Sequence, residues 1–326
     1  MIDLHAHYVS PSLFDMDLST AGVSYDLVTG GFEFPSGPSR PVSGPLADLA
    51  ARTQWIRAES IDLQLLSPWM DIVGDDLSQN ESTAWCQMLN DTTASDIAGN
   101  PLFRASAALP LLNGDAAAAE LARAMAQPEF VGGSIPSEVA GIDLDKAGLD
   151  SLFEAAVSLN APLFLHPFRG IDPARLRQYF LSNVCGIPFD TTVAAMRLFF
   201  SGTMDRWPDL KIVLAHCGGT LPFLAGRAAH ASRAVPLIER SIDTTDEILQ
   251  RFYFDTMLHD PAALGFAIAR VGVDRVMAGT DAPFPMLIDS VADHLRDALE
   301  MGGLPEGAFE AVTRTNPEKL LNLNGR

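Results

Sequence analysis

Eight short apolar runs, spaced by longer stretches of helical periodicity, constrain this chain more than any other feature of its sequence. The runs lie near Ile2–His5, Leu63–Ser67, Phe103–Leu109, Phe130–Ser134, Pro162–His166, Lys211–His216, Phe252–Thr256 and Arg275–Ala278. Between them fall helical patterns such as Glu81–Ile97, Ala116–Ala126, Leu149–Leu159, Thr191–Met204 and Ala262–Val271. Continuous apolar strands belong to parallel sheets covered by helices on their faces. Eight such strands, mostly followed by helices, predict an α/β fold, a closed (β/α)8 TIM barrel. The chain has 326 residues and 48% hydrophobic content, enough for one large barrel and its core.

Three segments interrupt the alternation. Residues from about 8 to 46 are rich in Gly, Ser and Pro and form a long insertion after the first strand, a length that usually marks function. Residues from Arg169 to Pro188 form a second insertion, after the fifth strand. The tail from about 305 to 326 reads as closing helices. Nothing in between marks a second domain, so residues 1–326 are expected to form one barrel domain.

The net charge of -19 disfavours nucleic acid, whose phosphates it would repel. It also requires that an anionic substrate be held by local arginines. Cys86, Cys185 and Cys217 are too few and scattered for a disulfide framework, which points to a reducing cytoplasm. The start Met1-Ile2-Asp3-Leu4-His5 leaves no room for a signal peptide, and no run of 18 apolar residues is present to span a membrane.

The chemistry sits at the ends of the strands. His5 and His7 are two apart on the first strand, so their side chains leave the same face, and barrel sites lie at the carboxyl ends of strands. His166 ends Pro-Leu-Phe-Leu-His, His216 ends Lys-Ile-Val-Leu-Ala-His, and Asp281 follows Val-Met-Ala-Gly-Thr. A lone histidine after an apolar strand is most often structural, but metal-binding residue types at four strand ends are hard to account for by packing. His5, His7, His166 and Asp281 supply three nitrogens and one oxygen, a set that suits one divalent ion with an open position. Zinc fits best, with manganese, iron or cobalt as alternatives, and no organic cofactor is needed. Such an ion makes a bound water acidic and polarises substrate oxygens. His216 is then the spare imidazole, free to move a proton, and with Asp281 it makes the catalytic pair.

The segments Ile2-Asp3-Leu4-His5-Ala6-His7, Leu165-His166-Pro167, His216-Cys217-Gly218-Gly219, Phe254-Asp255-Thr256 with His259-Asp260-Pro261, and Gly279-Thr280-Asp281-Ala282-Pro283-Phe284-Pro285 occur in a family's order. In them the chain resembles the amidohydrolase-2 branch of the amidohydrolase superfamily, and within it the aminocarboxymuconate-semialdehyde decarboxylases. Binuclear relatives bridge their metals with a lysine at the fourth strand, where this chain has Val131-Gly132-Gly133-Ser134. The resemblance therefore implies one metal. It also implies two arginines on the substrate carboxylate: Arg40 in the first insertion, twelve residues before Arg52, and Arg227, eleven after His216, contributed by a neighbouring subunit. The unit expected is thus a homodimer or larger.

The resemblance implies a metal-dependent nonoxidative decarboxylase, a carbon–carbon lyase acting on a small unsaturated or aromatic carboxylic acid. A hydrolase or hydratase of the same branch, acting on a lactone or ring-cleavage product, is the alternative; a catalytically inactive binding barrel is a weaker one. Departures at Asn183 (a tryptophan in the family), Cys217 (a glycine) and Ala282 (a tyrosine or similar) imply altered pocket walls. Trp55, Trp69, Trp85 and Trp207 read as packing residues, His230 and His294 as surface residues, and His259 carries no assigned chemistry.

Overall fold

Seven of the eight apolar runs become strands of one parallel sheet. In the computed structural model, which describes residues 1–168, 174–288 and 290–323, these are β1 (Ile2–Tyr8), β2 (Leu63–Pro68), β3 (Phe103–Ala107), β4 (Phe130–Ile135), β5 (Leu163–Leu165), β6 (Ile212–Leu214) and β7 (Tyr253–Phe254). Their spatial order follows the chain, each strand pairing in parallel with the next.

The eighth run does not form a full strand. Val273–Arg275 is a short 3-10 turn, and the stave is reduced to bridges from Val276 to Phe254 and from Ala282 to Ala6. Backbone bonds complete the closure: Leu4 N–H to Ala278 O and His7 N–H to Ala282 O at 2.8 Å, with Met277 N–H to Phe254 O at 2.9 Å. The interruption has a local cause. Asp281 adopts a left-handed φ of 56°, and both its N–H and that of Thr280 turn onto His5 O. Ladder regularity there gives way to the placement of one carboxylate.

Eight helices of nine or more residues flank the sheet among the described residues: α1 (Leu49–Ala58), α2 (Gln79–Ile97), α3 (Gly114–Met125), α4 (Asp150–Ser158), α5 (Ile187–Phe200), α6 (Leu221–Ala234), α7 (Pro261–Val271) and α8 (Val291–Met301). One follows each stave, which completes the (β/α)8 barrel. Local chemistry sets their starts. Ser78 and Glu81 form a reciprocal capping box at α2. Asp260 caps α7 through Ala263 N–H, and Pro261 opens its first turn. α5 begins at Ile187, before the predicted Thr191, because Pro188 suits a first turn.

The lumen is packed, as barrel interiors are. Ile2, Leu4, Leu65, Val131, Phe164, Val213 and Met277 fill it, and Leu320 and Leu321 plug one end from the closing segment. That segment is helical at Ala308–Glu310 and Asn316–Leu320, with a wide turn between, and the predicted tail beyond residue 323 lies outside the described residues. β4 carries Gly132 and Gly133 because neighbours press on it. A Cβ at Gly132 would lie 2.4 Å from Pro162 O, and one at Gly133 2.8 Å from a Leu109 methyl.

The first insertion is more ordered than its composition suggested. It holds a three-stranded antiparallel sheet, Ser24–Asp26, Gly31–Phe34 and Gly37–Pro38. Phe32 is fully buried against Trp85 in a separate apolar cluster with Leu13, Leu18 and Ile72. Trp85 Nε1–H donates to Ile72 O at 2.7 Å, so this tryptophan is a packing residue with a satisfied polar edge. Of the second insertion, residues 169–173 lie outside the described residues; Ser182–Gly186 forms a wide helical turn leading into α5.

Candidate active site

The two histidines of β1 reach the site because the strand is irregular. A register shift lies between Asp3 and Ala6. Before it, Ile2 and Leu4 face the lumen; after it, Ala6 and Tyr8 face the outer helices. Strict alternation would put all four on one face, so the bulge is what aims His5 and His7 at the site above the lumen plug. Arg52 of α1 holds the strand end, donating to His7 O at 2.8 Å and to Gln64 Oε1 at 3.3 Å. Gln64 in turn donates to Asp3 at 2.7 Å, and Thr280 does the same from the eighth stave.

His5, His7, His166 and Asp281 present ligand atoms that all lie within 4.8 Å of one another. His5 Nε2 and His7 Nε2 are 3.2 Å apart, and each is 3.3 Å from Asp281 Oδ1. The outer nitrogens are occupied. His5 Nδ1 bonds Asp255 Oδ2 at 2.6 Å, His7 Nδ1 meets Pro68 O at 3.3 Å, and His166 Nδ1 meets Pro167 O at 2.8 Å. Each contact makes Nδ1 the donor and leaves an Nε2 lone pair facing inward. His166 Nε2 and Asp281 Oδ1 are buried without any hydrogen-bond partner. Buried polar atoms are rarely orphaned. Three imidazole lone pairs and a carboxylate oxygen converging on one point fit a divalent cation.

The charge balance agrees. Burial pulls the His5 pKa down, yet the Asp281 and Asp255 carboxylates raise it to about 10. Burial and the neighbouring imidazoles push His166 well below its usual value. Asp281, despite burial, is held well below the usual carboxylate range by the attraction of His5 and the other imidazoles around it. The carboxylates thus draw positive charge into the centre of the cluster.

His216 stands outside the ligand group. Its Nε2 is 3.8 Å from Asp281 Oδ2, and its ring packs edge-on against His5 and His166 with centroids 5.3 and 5.0 Å away. It lines the same cavity as His7, His166 and Asp281, a chamber of about 90 Å³ walled by Trp69, Met70, Phe168, Phe284 and Met286. The chamber shares Arg40, Asp71, Phe180 and Asn183 with an outer vestibule of about 440 Å³.

The arginines have different fates. Arg40 stands at the mouth of the chamber, its Nε and Nη2 both on the Asp71 carboxylate, the latter at 2.8 Å, and its Cζ 5.6 Å from the Trp69 ring. Arg227 is exposed on α6 and does not line its own chamber. Of the three departures, Asn183 lines the cavity, whereas Cys217 and Ala282 are buried in the core between sheet and helices. The expectation that all three alter the pocket wall is corrected to Asn183 alone.

Other expectations also change. Trp69 packs as predicted but walls the chamber. His294 is half-buried and bonded to Leu258 O at 2.8 Å, not a free surface residue; His230 is exposed. His259 Nε2 reaches Met286 O at 2.6 Å and ties the seventh loop to the eighth. Sequence reasoning missed Asp255, although it ends the seventh apolar run just as the histidines end theirs. It also missed Asp71, whose position on a 3-10 turn, Met70–Ile72, gave no periodic signal.

The cysteines are all free. No helix among the described residues is long and apolar enough to cross a membrane.

The amidohydrolase family Amidohydro_2 matches residues 2–323. A 2-amino-3-carboxymuconate-6-semialdehyde decarboxylase of Dictyostelium discoideum is 31% identical over 250 residues, 76% of this chain and 70% of that protein. A gamma-resorcylate decarboxylase of Polaromonas sp. (strain JS666) is 29% identical over 282 residues, 82% of this chain and 84% of that protein. Among solved structures, a dihydroxybenzoic acid decarboxylase from Polaromonas sp. JS666, crystallised with manganese and the inhibitor 2-nitroresorcinol, superposes with a TM-score of 0.79. It is 25% identical and covers 100% of this chain and 97% of that one.

Proposed function

Because the chain belongs to the amidohydrolase family, we propose that it is a metal-dependent nonoxidative decarboxylase of a small unsaturated or aromatic carboxylic acid. The observation that carries this reading is the convergence of His5, His7, His166 and Asp281, with His216 left free on the wall of the same chamber. The relatives are decarboxylases by name, one of them of dihydroxybenzoic acid.

His5, His7, His166 and Asp281 would hold one divalent ion, which supplies Lewis acidity toward substrate oxygens when bound. The donor set favours zinc, and the manganese in the Polaromonas structure makes manganese the competing choice. Decarboxylation breaks the bond between the carboxyl carbon and its neighbour. The electron pair stays on the substrate, carbon dioxide leaves, and a proton takes the vacated position. His216 Nε2 faces the chamber near Asp281 and serves as the group that holds and moves this proton. Arg40 at the mouth binds a substrate carboxylate, for which a planar guanidinium is well shaped. Trp69 and Phe284 exclude water beside it and give an unsaturated ring apolar walls.

In this reading residues 1–326 work as one barrel domain in the cytoplasm, and the functional unit is a homodimer or larger. Arg227 then completes a neighbour's chamber, which agrees with its exposure on α6. The deciding experiment measures carbon dioxide release from a panel of carboxymuconate-like and hydroxybenzoate-like acids. Release at a rate that falls with chelation supports the proposal. Hydrolysis of lactones or ring-cleavage products without carbon dioxide would move the chain to the hydrolytic alternative.

A further inference from the structure

Asp255 directly follows β7 and is 1% exposed. Its carboxylate accepts four N–H donors, which is all that its two oxygens readily take. Oδ2 accepts from His5 Nδ1 at 2.6 Å and from His216 N at 3.0 Å. Oδ1 accepts from Cys217 N at 2.6 Å and from Met257 N at 3.0 Å. The close approach is permitted by Gly279, where a Cβ would stand 2.9 Å from His5 Cβ and 3.0 Å from Asp255 Cβ.

Two of these bonds fall on a strained elbow. His216 and Cys217 have φ of 55° and 53°, the left-handed region that side-chain-bearing residues rarely occupy. Two successive such residues persist only where the surroundings impose them. Here both backbone N–H groups point at one carboxylate, and bonds of that charge-assisted kind are stronger than neutral ones. The same elbow sets the direction in which the His216 ring leaves the strand.

We infer that Asp255 is a positioning residue that couples the two halves of the site. One carboxylate fixes His5 with its Nε2 lone pair toward the metal ligands and holds the left-handed elbow that aims His216 into the chamber. The inference rests on the metal-site reading above but is tested apart from it. Asparagine has one acceptor oxygen where aspartate has two, so it cannot receive all four donors. Its amide group, placed beside His5, would select the wrong tautomer.

In the Asp255→Asn variant, metal affinity measured by chelator competition should fall about 10–100-fold, the usual effect of losing such an outer partner. With the site then saturated and occupancy verified by mass, kcat should remain at least tenfold low while KM moves less than twofold. Adding Cys217→Gly, which relieves the left-handed strain at that residue, should recover part of kcat and none of the metal affinity. A folded Asp255→Asn variant with wild-type affinity, or with full kcat once loaded, overturns the inference. Should the variant not fold, the zinc-loaded wild-type protein still decides by nuclear magnetic resonance. A slowly exchanging, strongly downfield Nδ1 proton on His5 is expected, and a freely exchanging one overturns the assignment. Failure of wild-type protein to bind metal at all would instead count against the proposed function.

Discussion

Asp71 holds the Arg40 guanidinium before any substrate arrives, so replacing it should tighten substrate binding. Arg40 contacts both Asp71 oxygens, with side-chain exposures of 68% and 17%. A pair that open to solvent contributes about 0.2–1 kcal/mol, because water and salt screen it. A substrate carboxylate that recruits Arg40 must displace Asp71 and forfeit that amount. Asp71→Asn keeps the shape and removes the charge, so KM for a monocarboxylic substrate should fall about 1.4- to 5-fold with kcat little changed. The loss of one negative charge from a vestibule that also holds Asp75 and Asp76 acts in the same direction. Raising the ionic strength should shrink the gain, since the Debye length is about 8 Å at physiological salt. Steady-state carbon dioxide release measures both constants. The reasoning is refuted if a folded Asp71→Asn enzyme shows an unchanged or higher KM. It is refuted equally if the gain survives in an Arg40→Ala background, where no guanidinium remains to be freed.

Metal analysis of the purified protein should give one divalent ion per chain, held by His5, His7, His166 and Asp281 at about 2.0–2.3 Å; two ions per chain would sink the mononuclear reading. His216→Ala should lose about 10²–10⁴-fold in activity and keep its metal, and loss of metal with activity would show His216 to be a ligand. Mixing inactive Arg227→Ala and His216→Ala chains should restore activity, since a mixed dimer contains one complete chamber. Random exchange makes about half the dimers mixed and yields about a quarter of wild-type activity per chain. No rescue after verified exchange places Arg227 outside a neighbour's site.

The barrel was legible because its signal is repeated. Each stave buries an apolar run on both faces, so the runs stand out whatever the loops do, and the polar residues that end them mark the rim of the candidate site. His5, His7, His166, His216 and Asp281 all follow that rule. The eighth stave was readable as a run but not as an interrupted ladder, because the interruption comes from Asp281 turning left-handed, which no periodicity records. The bulge in β1 was equally silent. Ile2, Leu4, Ala6 and Tyr8 alternate perfectly in sequence, and only the fold shows the first two inside and the last two outside. The small sheet at 24–38 was hidden by Gly, Ser and Pro, whose turn preferences outweigh short strands. Asp255 was visible in position yet assigned nothing, because its partners are backbone N–H groups and one ring nitrogen brought together from distant strands.

The seam where Ala6 meets Ala282 gives synthesis a strict order. His5 and His7 leave the ribosome about 275 residues before Asp281 and the carbonyl that anchors His7. Nascent chains begin folding from their N-terminal side, so β1 waits with one edge open, and Asp3 without its bond from Thr280, until Ala278, Thr280 and Ala282 arrive. A chain truncated before that stave retains His5, His7 and His166 but loses both the carboxylate at their centre and the edge that fixes two of them. If the four residues hold one ion as proposed, its tight capture would report that translation has passed residue 282 and that the ring has shut.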